Sequence, residues 1–228
     1  MDGGDVLVDH ARIIANPNET WWHTIDLPDG PTTGWWDLRP LAPQLSWPDV
    51  RGKRCLDVGT ADGFWAFELE RRGAASVLAT DVSSGFQSQC RPRFERARDA
   101  LGSAVDYEER SVYELDGEFD LAFLGYVLQV VADPLRALEA VRRVARELVL
   151  LDTVSLPLSL LPSPLARLDA RHDGGEWFVF NPRGLRKACE LAGWTVVAQT
   201  GILRDGSHPG WKERVGVRGR ACAILARA

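Results

Sequence analysis

The sequence predicts an α/β protein built on a seven-stranded, mostly parallel sheet. Three observations point there. From residue 53 onward, short apolar runs recur between segments with helical spacing. The first run ends in Asp57 and enters a glycine turn, Gly59 to Gly63, that opens a helix. The last quarter reads helix, strand, loop, strand, the pattern of an antiparallel hairpin closing a sheet.

The elements follow in chain order. Residues 1–50 read as a segment of helix and loop, because Pro17, Pro28, Pro31, Pro40, Pro43 and Pro48 interrupt any long periodic element. This segment is rich in tryptophan, with Trp21, Trp22, Trp35, Trp36 and Trp47, enough apolar area to dock on something. It is expected to act as an N-terminal cap on the main domain at 51–228. Arg54–Val58 is the first strand, Phe64–Arg72 a helix, and Ser76–Asp81 the second strand. An Arg-rich helix over 86–101 and a strand at Val105–Glu108 come next, then a strand at Phe119–Leu124. Pro134 suits the first position of a helix to Arg146, with Leu135, Leu138 and Val141 on one face. Glu147–Asp152 is the fifth strand; runs of this kind between helices suit buried parallel strands. An irregular insertion occupies about 155–180. A helix over Pro182–Ala192 ends near Gly193, and strands at Trp194–Leu203 and Arg220–Ala226 flank a loop at 204–212.

Composition narrows the function classes. Of 228 residues, 45% are hydrophobic and 26% charged, ordinary for a globular chain that buries a core without staples. The net charge of -5 weighs against a broad duplex nucleic-acid footprint. Cys55, Cys90, Cys189 and Cys222 lack metal-motif spacing and sit in apolar surroundings, so they read as reduced thiols of a cytoplasmic protein with no metal. The acidic start, Met1 to Asp5, does not read as a signal peptide. No stretch approaches the ~18 apolar residues of a membrane span.

The chemistry begins at Asp57-Val58-Gly59-Thr60-Ala61-Asp62-Gly63. A strand that ends in an acidic residue and a glycine turn places a ligand at the carboxyl edge of the sheet. A dinucleotide fingerprint needs glycine where Ala61 and Phe64 stand, and Phe64 would obstruct close helix–strand approach, so NAD is disfavoured. Asp81, ending the second strand, can accept two hydrogen bonds from a ribose diol; its alternative role is a helix N-cap. Ser111 and Val112 can face an adenine edge, with Val82 on the opposite side of the ring. The strand end Leu124-Gly125 can offer a backbone carbonyl to an α-ammonium group.

In order and spacing, these elements resemble the class I S-adenosylmethionine (SAM)-dependent methyltransferases, with a Rossmann-like fold, across residues 50–228. The stretches Trp21-Trp22-His23-Thr24-Ile25-Asp26-Leu27-Pro28-Asp29-Gly30, Gly34-Trp35-Trp36-Asp37-Leu38-Arg39-Pro40 and Gly52–Glu68 are similar to a subgroup with a tryptophan-rich leader. That subgroup is related to the tRNA wobble-uridine carboxymethyltransferases. The resemblance implies SAM as cofactor, S-adenosylhomocysteine as product, and Asp57, Gly59, Thr60, Gly63, Phe64, Asp81, Val82, Ser111, Val112, Leu124 and Gly125 as the cofactor seat. Ala61 replaces a third family glycine. The turn Leu128-Gln129-Val130-Val131 lacks the Tyr, His and Arg of the tRNA enzymes, which favours ordinary SAM over its carboxylated form.

Methyl transfer asks the protein mainly for proximity and orientation. A base is needed only for a protonated acceptor such as a hydroxyl. Of His10, His23, His172 and His208, His172 in the insertion is the first candidate and His23 in the leader the second. Trp35, Trp36, Tyr126, Trp177 and Phe178 are expected either to line an apolar acceptor pocket or to fill core. Arg91, Arg93, Arg96 and Arg98 read as a solvated helix surface rather than a phosphate-contacting face. The leading expectation is methylation of an oxygen or nitrogen on a small molecule. The alternatives are a tRNA wobble-uridine enzyme and a SAM-binding protein with other chemistry. The oligomeric state is open.

Overall fold

The computed structural model describes residues 21–82, 89–168, 178–204 and 220–228. The chain enters through four short strands: β1 (Trp21–His23), β2 (Asp26–Leu27), β3 (Gly30–Pro31) and β4 (Gly34–Trp36). β2 and β3 form an antiparallel hairpin, while β1 runs parallel to β4 with His23 opposite Trp36. For residues 21–36 this corrects the expected helix and loop. The prolines do exclude a helix, but hydrogen bonds between short extended pieces replace it. The Thr32 hydroxyl accepts the Ile25 N–H and donates to the His23 carbonyl, both at 2.8 Å, which locks the hairpin onto β1.

β5 (Arg54–Val58), α1 (Phe64–Arg71), β6 (Ser76–Asp81), α2 (Cys90–Leu101), β7 (Asp106–Glu109), β8 (Phe119–Gly125), α3 (Pro134–Val144) and β9 (Ala145–Thr153) follow. These match the expected elements within a few residues at their ends. The insertion carries a short helix, α4 (Leu156–Ser159), and a strand β10 (Ala166–Leu168) paired antiparallel to β11 (Phe178–Phe180). After α5 (Pro182–Leu191), the expected strand at 194–203 divides into β12 (Thr195–Gln199) and β13 (Leu203–Arg204), and β14 (Arg220–Arg227) completes the sheet.

The main sheet runs β12–β14–β9–β8–β5–β6–β7, with β13 also on β14. Only β14 opposes its neighbours on that path; the other pairings are parallel. The expected α/β fold, seven strands with an antiparallel closing strand, is present. Strand order reverses beside β5, so the carboxyl ends of β5, β6 and β8 frame the ligand crevice of such sheets.

Alternation along the strands divides the core in two. Leu56, Val58, Ala122, Leu124, Leu148, Leu150, Cys222 and Ile224 face one cluster, under α3 and α5. Cys55, Leu121, Phe123, Val149, Leu151 and Ala223 face the other, under α1, α2 and the leader. Trp21, Ile25, Leu38, Leu41, Leu45 and Val50 are buried there, so the leader shares a core with the sheet.

Helix α3 shows one departure. Leu138 and Val141 are buried, but Leu135 is exposed. At ~100° per residue, Leu135 stands about 120° from Val141 around the helix, beyond the stripe that Ala137, Leu138, Val141 and Val144 press onto the sheet. Pro134 opens the helix as expected, and Asp133 before it caps the first turn by accepting the Arg136 N–H at 3.0 Å. In α5 the buried cap Asn181 also donates to the carbonyls of Leu158 and Ser163, tying the insertion to the helix. No helix among the described residues is long and apolar enough to cross a membrane.

Candidate cofactor and acceptor site

The glycine turn between β5 and α1 is wedged between the two cores. Gly59 has φ +73°, and a Cβ there would lie 2.4 Å from the Val127 side chain on the aliphatic side. Gly63 has φ +100°, and its Cβ would meet Phe67 at 2.4 Å and Phe94 at 2.7 Å on the aromatic side. Both positions need glycine for conformation and for space. Ala61 lies between them with φ 49°, a left-handed alanine where the family resemblance expects glycine.

Carboxylates hold this turn. Asp81, at the end of β6, accepts the Ala61 N–H at 2.6 Å through one oxygen and the Val82 N–H at 2.7 Å through the other. Two backbone bonds leave the carboxylate room to accept from a ligand as well. Asp57 is fully buried. Its carboxyl draws on the Thr60 hydroxyl and on the Ala66 N–H in the first turn of α1, yet neither its Oδ2 nor that hydroxyl reaches full hydrogen-bond geometry among the described residues. Burial pushes the Asp57 carboxyl up to about 7 and also raises Asp81. Buried polar atoms left short of full hydrogen bonds are uncommon in folded proteins, and these two suit a polar ligand over the turn.

A third carboxylate in the turn, Asp62, has a role that the sequence reading missed. It is fully buried and reaches the leader. Asp62 accepts the Trp22 N–H at 2.7 Å and the His23 N–H at 3.0 Å, and its other oxygen pairs with His23 Nδ1. The His23 ring lies 5.9 Å from the Phe64 ring. A charged residue inside a turn flanked by apolar strands is the only sequence signal for such a tie, and its partner lies 39 positions away.

The expected adenine contacts divide. Val82 is partly exposed at the strand end, while Val112 is buried in the aliphatic cluster. The Ser111 hydroxyl accepts the Tyr113 N–H at 3.3 Å and so caps the turn that Val112 begins. Leu124 buries its side chain among the aliphatic residues, leaving only backbone at the strand end. At Gly125 a Cβ would meet Phe123 at 2.7 Å, so the chain passes close to the aromatic cluster there.

The expected acceptor-lining residues are partly brought together. Tyr126 takes φ 58°, strained for an aromatic residue, and its ring stacks on Trp36 at 6.4 Å. Trp35 buries its indole N–H without a partner among the described residues, as the Gln129 side-chain oxygen does. Asp152, at the end of β9, accepts the Leu128 N–H at 2.9 Å and fixes the turn after β8. This role was also missed. His172 and Trp177 lie outside the described residues, as do His10 and His208. The Arg-rich helix is partly engaged within the chain: Arg91 pairs with Glu95 at the surface, Arg96 sits over the Trp21 ring and Arg93 is buried. Among the described residues no cluster of His, Cys, Asp and Glu could hold a metal.

The sequence profile of the methyltransferase domain matches residues 37–199. The chain belongs to the methyltransferase-domain family. Its fold is shared with a SAM-dependent methyltransferase from Mesorhizobium loti, at a TM-score of 0.58 and 19% identity, covering 84% of this chain and 95% of that one. The N-terminal domain of EvdMO1 with SAH bound gives 0.60 and 18%, covering 98% and 97%. The cyclase SpnF gives 0.64 and 18%, covering 97% and 93%. In sequence, this methyltransferase domain is similar to the ubiquinone biosynthesis O-methyltransferase of Pseudomonas aeruginosa, 29% identical over 118 residues. That match spans about half of each chain, 48% in both cases. The enzyme of the same name from Pseudomonas paraeruginosa is 30% identical over the same length.

Proposed function

We propose that the domain binds SAM at the carboxyl edge of β5 and β6 and transfers its methyl group to an oxygen or nitrogen of a small molecule. The observation that carries this reading is a buried carboxyl and hydroxyl, on Asp57 and Thr60, left short of full hydrogen bonding beneath a turn whose backbone Asp81 braces. SAM presents an ammonium, a ribose diol and an adenine, and the donor and acceptor types here suit all three. Asp57 meets the amino-acid end, Asp81 the ribose hydroxyls, and Val82 and Val112 the ring. When bound, SAM supplies a methyl group already activated as a sulfonium. The chain's own task is to orient the acceptor and exclude water. The Trp36–Tyr126 stack is suited to a flat, apolar acceptor. The names of the Pseudomonas relatives favour oxygen as the acceptor atom.

The resemblance of the leader to the tRNA carboxymethyltransferase subgroup expresses kinship rather than substrate. The acidic charge and the internally paired arginines favour a small molecule over tRNA. A SAM-dependent role without methyl transfer is the second reading, because SpnF, a cyclase by name, has this fold.

Calorimetric titration with SAM, together with mass spectrometry of any co-purified ligand, tests the cofactor. The expected result is SAM or SAH in the ligand fraction and a loss of affinity of roughly 10-fold or more in Asp81→Ala, which removes ribose acceptors and the brace on Ala61. Unchanged affinity in that variant removes Asp81 from the site. SAM binding without SAH formation from any acceptor favours the second reading.

A further inference from the structure

We infer that Asp62 holds His23 as the proton acceptor for a hydroxyl-bearing aromatic substrate, placed between the cofactor turn and the Trp36–Tyr126 stack. The inference rests on the proposed SAM-dependent reaction and names the acceptor class and the residues that serve it.

Three observations locate the imidazole. Its Nδ1 pairs with Asp62 in the glycine turn, so the turn that would hold the cofactor also holds the ring. His23 stands opposite Trp36 in the parallel β1–β4 ladder, which puts the two side chains on one face. Trp36 in turn stacks on Tyr126 at the end of β8. One short ladder therefore joins the cofactor turn to the aromatic lining, with His23 at the junction. The ring is largely withdrawn from water, its side chain 12% exposed.

The tautomer follows from the partner. A carboxylate only accepts hydrogen bonds, so it favours the proton on Nδ1 and leaves the Nε2 lone pair open. Asp62 is itself fixed by the Trp22 and His23 backbone N–H groups and cannot swing away. It is a positioning residue, the same logic by which a buried carboxylate orients a catalytic histidine in hydrolases. The acceptor O–H bond breaks and its proton passes to Nε2. The oxygen keeps the electron pair that forms the bond to the transferred methyl, and the pair of the broken carbon–sulfur bond stays on sulfur. The resulting imidazolium lies against Asp62 and within electrostatic reach of Asp57 and Asp81. Cys90 of α2 lies near Asp62 and Asp81 of the same site, with Arg93 beside Cys90, and Arg96 covers Trp21. Amine acceptors, which attack with a free lone pair, would need no such dyad.

The test uses His23→Gln, Asp62→Asn and the double variant, with catechol, para-nitrophenol and protocatechuate as acceptor probes. His23→Gln keeps both backbone bonds to Asp62, so it removes the base with the leader still tied. Imidazole NMR of the unmodified protein is expected to show His23 protonated on Nδ1, and Asp62→Asn to shift it toward Nε2. SAH release from the probes is expected to fall roughly 10²-fold or more in each single variant, with the acid limb of the pH–rate profile lost in His23→Gln. The double variant should match His23→Gln, because Asp62 acts through His23. Calorimetric SAM affinity should change little in His23→Gln. An Nε2-protonated ring in the unmodified protein overturns the inference. So does an unaltered rate or pH profile in His23→Gln, or SAM binding without methylation of any hydroxyl probe. Failure of the unmodified protein to bind SAM overturns instead the cofactor reading on which it rests.

Discussion

The two faces of the sheet are packed by different means. The face under α3 and α5 is mostly aliphatic, leucines, valines and alanines from two amphipathic helices and the strands beneath them. The face under α1, α2 and the leader is keyed by rings. Trp65 stacks on Phe123 at 4.5 Å and meets Phe64 edge-on at 4.9 Å, Trp47 lies on Phe123 at 5.5 Å, and Phe67 stacks on Phe94 at 5.2 Å. Aliphatic packing tolerates repacking, because many side-chain combinations fill the same volume. Ring stacks fix orientation as well as volume. The Trp36–Tyr126 stack rests on the ring-keyed face, and the glycine turn is held between the two faces, by Val127 on one side and by Phe67 and Phe94 on the other.

The largest expected effect tests that contrast directly. Trp65→Ala should cost about 4 kcal/mol in urea unfolding, and Leu138→Ala on the aliphatic face about 3 kcal/mol. An equal or reversed order would show that the rings are not the tighter side. Next comes the turn wedged between the faces. Gly59→Val should lower SAM affinity at least ~100-fold by calorimetry, because the new side chain strikes Val127 from a left-handed backbone, at a cost on the order of 2–3 kcal/mol. SAM binding of ordinary strength in that variant would detach the turn from the site.

A smaller, pH-dependent effect belongs to Asp57, which alternates with Leu56 and Val58 and so turns away from the aliphatic face. Its folded carboxyl sits at about 7 because burial disfavours the charge, against ~3.9 in the unfolded chain. The folded protein therefore holds this proton more tightly. The stability it contributes is complete below about pH 4 and is lost as the pH rises through about 7. Stability of the ligand-free protein should fall across that window, and Asp57→Asn should flatten the slope. Affinity for SAM, whose ammonium favours the ionised carboxylate, should rise over the same range. Calorimetry in buffers of different ionisation enthalpy would register the proton released. The smallest effect is Leu135→Lys, expected within about 0.5 kcal/mol of neutral because that side chain is exposed on α3.

What could be read in the sequence was what repeats locally. The β5–β9 strands and their helices are long enough for an apolar period to show, and Asp57, Gly59, Gly63 and Asp81 stand at strand ends or turns that the chain order marks. The leader strands span only two or three residues each, too few for any period, so their prolines gave the more visible signal. Leu135 shared a plausible stripe with Leu138 and Val141, and only the position of the sheet beneath α3 excludes it. Asp62 and Asp152 act on residues 39–40 and 24 positions away, and a single sequence carries no trace of such pairings. The stacking of Trp36 on Tyr126 has the same origin, since it depends on β1 and β4 aligning in parallel.

The sheet order also carries a consequence for synthesis. β14 lies inside the sheet, between β12 on one side and β9 on the other. Residues 195–199 and 203–204 pair with no described strand except this one. As the nascent chain leaves the ribosome, those segments and the free edge of β9 stay open until residues 220–227 emerge. Unpaired strand edges recruit other chains, so the interval is a window for misassembly. The emergence of β14, rather than of the cofactor half of the molecule, decides when the barrier to aggregation closes.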